Sequence, residues 1–148
     1  MCRDAGPARR RRAVAGATAG VFAGWLAGCG FAGTAGVAFV APADGSTVSS
    51  PVHVEFRASH LTIEAVPPGQ VTVARDGVGH FHLGLDQVCA PDGQTVPAQA
   101  PGWVDFGRGE HAVDLQLAPG SHRLSLQVAD DQHRAIPGFC QTISIFVS

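Results

Sequence analysis

Through most of the chain beyond Val37, apolar side chains recur at every second position, and no stretch sustains the three-to-four step of a helix. That periodicity rules out a helical core and demands strands with one buried face. Val52, Val54, Phe56 and Ala58 alternate with His53, Glu55 and Arg57; Val113, Leu115 and Leu117 alternate with Asp114 and Gln116. Leu124, Leu126 and Val128 alternate with Arg123, Ser125 and Gln127, and Ile143, Ile145 and Val147 with Thr142 and Ser144. Val37 to Val40 and Trp103 to Phe106 are shorter apolar runs. Turn chemistry separates them at Pro42-Ala43-Asp44-Gly45-Ser46, Gly107-Arg108-Gly109 and Ala118-Pro119-Gly120-Ser121. Leu61 to Val73, broken by Pro67-Pro68-Gly69, reads as a loop with an edge strand; residues 87–102 and 130–138 read as irregular loops. About seven short strands at this spacing predict an all-β fold over residues 37–148, an immunoglobulin-like antiparallel β-sandwich.

The central strand, Gly79 to Asp86, carries the sharpest chemical signal. Phe81, Leu83 and Leu85 fall on one face, His80, His82, Gly84 and Asp86 on the other. Alternate strand residues project to the same side about 6 to 7 Å apart, so two imidazoles placed this way can converge on one metal ion. Asp105, on a neighbouring predicted strand, with His111, His122 or His133 from turns, completes the candidate ligand set, and Asp86 is a candidate orienting carboxylate. The plain alternative is a pair of hydrogen-bonded or solvated histidines on a polar strand face. His53 and His60 read as surface residues, and His122, just after a Pro-Gly turn, as a residue that pins it. Met1 is the sole methionine, so no thioether copper(I) site is available, and zinc or copper(II) is the expected metal. There is no Gly-x-Ser-x-Gly elbow, no phosphate loop and no helical His-Glu-x-x-His, so the chain reads as a binding module, not an enzyme.

The N-terminus reads as an export signal: Arg9 to Arg12, then a Gly/Ala-rich apolar stretch to Gly28, too short and glycine-laden for a membrane span. Its end, Leu26-Ala27-Gly28-Cys29, resembles the lipobox of bacterial lipoproteins, which implies a signal peptide over residues 1–28, lipidation of Cys29 and a membrane anchor. A plain secretory signal containing a chance cysteine is the alternative. Residues 29–36 then form a flexible tether. Loss of the leader leaves Cys29, Cys89 and Cys140, an odd number for an exported protein. With Cys29 lipidated, a Cys89–Cys140 disulfide is the economical assignment, two free buried thiols the alternative. Such a bond closes a loop of roughly 50 residues and contributes roughly 4 kcal/mol in the chain-entropy model. From Cys29 onward five arginines face eleven Asp and Glu; this acidic surface repels phosphate backbones and excludes nucleic acid as a partner.

Two resemblances attach to these motifs. Gly79-His80-Phe81-His82, with Cys89 and a late Cys140, is faintly similar to the copper-zinc superoxide dismutases, which implies a dismutase-like enzyme as the remotest reading; the bridging and downstream histidines of that family have no counterpart between Val88 and Gly109. The chain from Val37 to Val147 resembles the bacterial exported family of the domain of unknown function 4399. The residues that carry this are Phe39 to Pro51, Gly79-His80-Phe81-His82-Leu83, Phe106-Gly107-Arg108-Gly109, Leu117 to Leu124, Ala129-Asp130 and His133. Members carry three histidines in a row at the central strand and a His-x-His before the Phe-Gly; here Phe81, Trp103 and Asp105 stand at three of those positions. If the family's histidines hold a metal, this chain keeps His80, His82, His122 and His133 and offers Asp105 for one of the rest. The expectation is a lipid-anchored protein of the bacterial envelope, on the periplasmic side of a membrane or at the cell surface, binding a divalent metal or polar ligand at its His80/His82 face. The competing expectation is a structural or protein-interaction sandwich, with an envelope protein partner docking on Trp103 and the loop 87–102.

Overall fold

The computed structural model describes residues 36–148; the expected leader, Cys29 and all but the last residue of the tether lie outside them. Among the described residues there are nine strands: β1 (Gly36–Ala41), β2 (Thr47–Val48), β3 (Val52–Ser59), β4 (Thr62–Ile63), β5 (Val78–Leu85), β6 (Trp103–Asp105), β7 (Ala112–Leu115), β8 (Gly120–Ala129) and β9 (Ala135–Val147). They form two sheets, β1-β3-β7 and β2-β9-β8-β5-β4, with β6 also paired to β5. β5 therefore lies fully along β8 on one edge, while its other edge is shared, β4 beside Val78 and Gly79 and β6 beside His82 to Gly84.

The alternation read from the sequence builds the core between the sheets. Val52, Val54 and Phe56 of β3 and Leu115 of β7 pack against Phe81 and Leu83 of β5, Leu124, Leu126 and Val128 of β8, and Ile143, Ile145 and Val147 of β9. At its centre the Phe56 ring meets Phe81 and Phe106 edge-on, with centroids 4.7 and 4.9 Å away, the arrangement aromatic quadrupoles favour. Gly79 is required here: a Cβ would lie 2.7 Å from Val128 Cγ1 and 2.8 Å from the Ala129 carbonyl, so only glycine lets β5 start this close to β8.

Three departures from the sequence reading have physical causes. The pairings β2–β9 and β4–β5 are parallel; each joins a two-residue strand, too short to show a period. β9 begins at Ala135, inside the stretch that reads as a loop through Gly138. Its register on β8 shifts between Gln127↔Cys140 and Ala129↔Ala135, and the extra residues, Pro137 and Gly138 among them, bulge out of the ladder. The third departure positions the site. The polar face of β5 is not an exterior face: Gly79 to Gly84 are all buried, as are Leu124 to Ala129 of β8.

A strap, residues 87–102, covers that face, and its fastenings come from cross-strand rows. Gly84, Ser125 and Thr142 lie side by side on β5, β8 and β9, as do His82, Gln127 and Cys140. Ser125 Oγ donates to the Gln87 carbonyl (2.7 Å) and lies 3.0 Å from Thr142 Oγ1. Gln127 clamps Ala90 at both ends, Nε2 donating to its carbonyl (2.8 Å) and Oε1 accepting its N–H (2.9 Å). Cys140 is disulfide-bonded to Cys89, as the cysteine count predicts. Farther along, Gly93 N–H donates to the Ala135 carbonyl, Ala135 N–H to Gln94, and Val96 N–H to His133, each at 2.8 Å. Val96 is buried with Ala129 and Ala135, and Ala90 and Trp103 pack on them. Trp103 and the strap thus turn inward, toward the sheet.

Candidate metal centre

Strand alternation sends His80 and His82 away from the core, yet both are fully buried. β6 pairs Asp105 with His82, which brings Asp105 Oδ1 to 3.5 Å from His80 Nε2 and 3.8 Å from His82 Nδ1. The fourth group arrives on the tight turn between β8 and β9. There Asp130 Oδ1 accepts the N–H groups of Gln132 (2.8 Å) and Arg134 (3.0 Å), and the His133 N–H donates to the Asp130 carbonyl. His133 takes a left-handed backbone with φ of 60°, a conformation a non-glycine residue adopts only when its surroundings impose it. The result places His133 Nε2 3.5 Å from Asp105 Oδ2, with its ring 4.8 Å from that of His80 and 5.4 Å from that of His82.

The turn is locked from the opposite side by Arg75. Its backbone N–H and Nε reach Asp131 Oδ2 at 3.0 and 2.9 Å, and Nη2 reaches Oδ1 at 2.8 Å. Arg75 also holds Glu64 and the Ala65 carbonyl, so the loop after β4 is tied to the turn that presents His133. Hydrogen bonding to Arg75 keeps the buried Asp131 carboxyl low, at about 2, so it is charged throughout the physiological range.

One donor atom from each of His80, His82, Asp105 and His133 can be chosen so that all four lie within 4.8 Å of one another. His80 Nε2 and His82 Nε2 are 2.9 Å apart. Zinc–nitrogen bonds of about 2.0 Å put tetrahedral ligands about 3.3 Å apart; the separations here run from 2.9 Å between the two imidazoles, through 3.5 and 3.8 Å to Asp105, with the whole four-donor set inside 4.8 Å. Burial pushes both His80 and His82 down, His82 to about 3 with the neighbouring His80 ring adding to it, while Asp105 partly offsets the effect on His80. Both rings are therefore neutral at pH 7, the form that ligates metals. The cluster is not self-satisfied: His80 Nδ1, His82 Nδ1 and Asp105 Oδ1 are buried without a hydrogen-bond partner. Each such atom costs about 1 to 3 kcal/mol unless something fills the need. The side chains of Asp105 and His133 keep 24% and 32% of their surface, which gives the otherwise sealed site an entry path. Three imidazoles and a carboxylate, without thiolate or thioether, suit a borderline divalent ion.

The structure thus gathers His80, His82, Asp105 and His133. His122 stands apart, its Nδ1 3.0 Å from Asp86 Oδ2 and its Nε2 2.8 Å from the Ala118 carbonyl, so it pins the turn and is no ligand of this cluster. Asp86, at the exit of β5, serves His122 and the Arg123 N–H and orients nothing in the cluster. His111 is exposed and lays its ring against Phe81; His53 pairs with Asp114 on the surface, and His60 is exposed. Sequence reasoning misses Arg75 and Asp131, because both sit in loops without periodicity and their pairing spans 56 positions.

The profile of a family described as a domain of unknown function, DUF4399, matches residues 54–148. No curated protein matches the chain. Among solved structures, the endo-β-1,4-mannanase from Thermotoga petrophila superposes on 79% of this chain with a TM-score of 0.42 and 12% identity, and this chain spans 20% of that enzyme's length.

Proposed function

This chain belongs to the DUF4399 family, and on that premise we propose that it is a divalent-metal-binding module that takes zinc or copper(II) at His80, His82, Asp105 and His133. The observation that carries the reading is the gathering of donor atoms from His80, His82, Asp105 and His133 within 4.8 Å of one another, with His82 Nδ1 and Asp105 Oδ1, 3.8 Å apart, buried and without a hydrogen-bond partner. A cation satisfies that arrangement, and a purely structural site would not leave it open, since an unfilled buried donor or acceptor is a standing cost. The same reading places the module outside the cytoplasm: Leu26-Ala27-Gly28-Cys29 supports export and lipid anchoring to the bacterial envelope, and the disulfide belongs in an oxidising compartment. Metal binding with an acidic surface fits a carrier or accessory role toward an envelope partner, in which binding and release are the function. Isothermal titration of the oxidised protein with zinc and copper(II) tests this. The expected result is one ion per chain, lost in the His80→Ala/His82→Ala variant; absence of binding, or unchanged binding in the variant, removes the proposal.

A further inference from the structure

The row that carries His82 carries two more specialised residues. His82 on β5 lies beside Gln127 on β8, which lies beside Cys140 on β9. Gln127 grips Ala90 of the strap, and Cys140 is bonded to Cys89, the residue before Ala90. Cross-strand neighbours sit about 4.5 to 5.5 Å apart, so ligand, clamp and disulfide occupy one continuous line. Farther along, the strap donates its Val96 N–H to the carbonyl of His133, whose ring is another member of the cluster. The strap is therefore tied to the site twice, beside His82 through Gln127 and at His133 directly. The disulfide is not sealed in the core: Cys140 is exposed and Cys89 half-buried.

We propose that the Cys89–Cys140 disulfide is a redox latch on the metal centre, holding the strap closed over the ion when oxidised and loosening it to release the ion when reduced. The inference rests on the metal-binding reading above and adds its regulation. The step is a thiol–disulfide exchange with a dithiol reductant. One reductant thiolate attacks the sulfur of Cys140, the more exposed residue of the pair, forming a mixed disulfide and expelling Cys89 as a thiolate; the reductant's second thiol then displaces Cys140 and leaves as a cyclic disulfide. Two electrons and two protons pass to the protein, and Cys89 and Cys140 end as thiols. The strap then keeps the Gln127 clamp and its backbone bonds but loses its covalent tie, so it opens more often. Opening admits water to His80 and His82 and withdraws the Val96 N–H from the His133 carbonyl it steadies. Because strap closure and ion binding favour each other, the coupling is reciprocal.

The test compares zinc affinity, by chelator competition, in three forms of the full chain: oxidised, reduced with dithiothreitol and desalted under argon, and Cys89→Ser/Cys140→Ser. The expected result is an affinity about tenfold or more lower in both thiol-type forms, recovered when the reduced protein is reoxidised. Amide exchange at Gly93 and Val96 should rise in those forms while Leu126 in β8 stays protected. Equal affinity in all three forms overturns the latch and leaves the metal site standing. Loss of the strand circular-dichroism signal on reduction also overturns it, since the bond is then a staple of the whole fold. An oxidised protein that binds no zinc removes the metal reading itself, and the latch with it.

Discussion

Two groupings of histidine and aspartate lie on the β5–β8 pair, and they are built in opposite ways. At the exit of β5, Asp86 and His122 are partly or largely open to solvent and fully bonded: both His122 ring nitrogens have acceptors, and Asp86 also takes the Arg123 N–H. The Ala118 carbonyl, and then Asp86, hold the His122 pKa above its ordinary value; the Arg123 N–H, and then His122, hold Asp86 below its own. That pair is a charged pin, complete in itself. In the other grouping, His80 and His82 of β5 meet Asp105 of β6 and His133 of the turn between β8 and β9; the first two are buried and held neutral, and three polar atoms of the cluster lack partners. The same residue types thus make a closed contact in one place and an open receptor in the other. Burial and unfilled bonding capacity separate them.

The comparison breaks most directly under mutation. His80→Ala/His82→Ala should lower zinc affinity by more than about a hundredfold, since two of four ligands go and the loss of a residue that merely orients a ligand already costs about ten- to a hundredfold. His122→Ala, read by the same titration, should leave affinity unchanged. If His122→Ala weakens binding as much as the double variant, the two groupings are one site and the contrast fails.

The two also differ in the sign of their pH response in the metal-free protein. His80 and His82 are lowered from 6.5, His82 to about 3. Between those values the unfolded chain binds protons that the folded chain refuses, so their neutral burial favours folding above pH 6.5 and that advantage drains away as pH falls. The loss should be on the order of a few kcal/mol across the window, seen as a falling urea midpoint that flattens in His80→Ala/His82→Ala. His122 is raised, so its contribution is fully present below pH 6.5 and is lost as pH rises through its folded value. A double variant with an undiminished acid slope would show that the loss comes from other groups.

How much of this was legible follows from what alternation can encode. Phe81 and Leu83 in the core, and His80 and His82 sharing one face, follow from a period of two and hold in the structure. The cysteine count gave the Cys89–Cys140 bond, and a neighbouring-strand argument gave Asp105. Alternation cannot say whether the second face of a strand is covered, because the cover, residues 87–102, has no period. Nor can it show that Gln127 and Cys140 lie in line with His82, since a period of two leaves open the registers in which β5, β8 and β9 pair. His122 and His133 both follow turn signals; their different fates rest on Asp86 for one and Asp130 for the other.

Between ligand and pin stands a third arrangement, the Arg75–Asp131 clamp, which touches no donor atom of the cluster yet fixes the turn that presents His133. Asp131→Asn keeps the shape of the side chain but surrenders its charge, and should lower zinc affinity by about tenfold, within the range for residues that orient ligands. Arg75→Ala should do the same, and the combined variant should cost little more than either alone, because both remove one interaction. A fully additive double variant would mean that Asp131 acts through its charge toward His80, independently of Arg75.

The smallest effect belongs to the pin. With Asp86 more than half exposed, the His122–Asp86 contact is screened by water, and His122→Gln should destabilise the protein by about 0.5 kcal/mol in urea unfolding. Glutamine can still reach one of the two acceptors but carries no charge, so the deficit should be present at pH 5.5 and vanish at high pH, where the wild-type imidazole is neutral as well. A deficit that persists at high pH would show that ring packing against the turn at Ala118, and not charge, is what this histidine contributes.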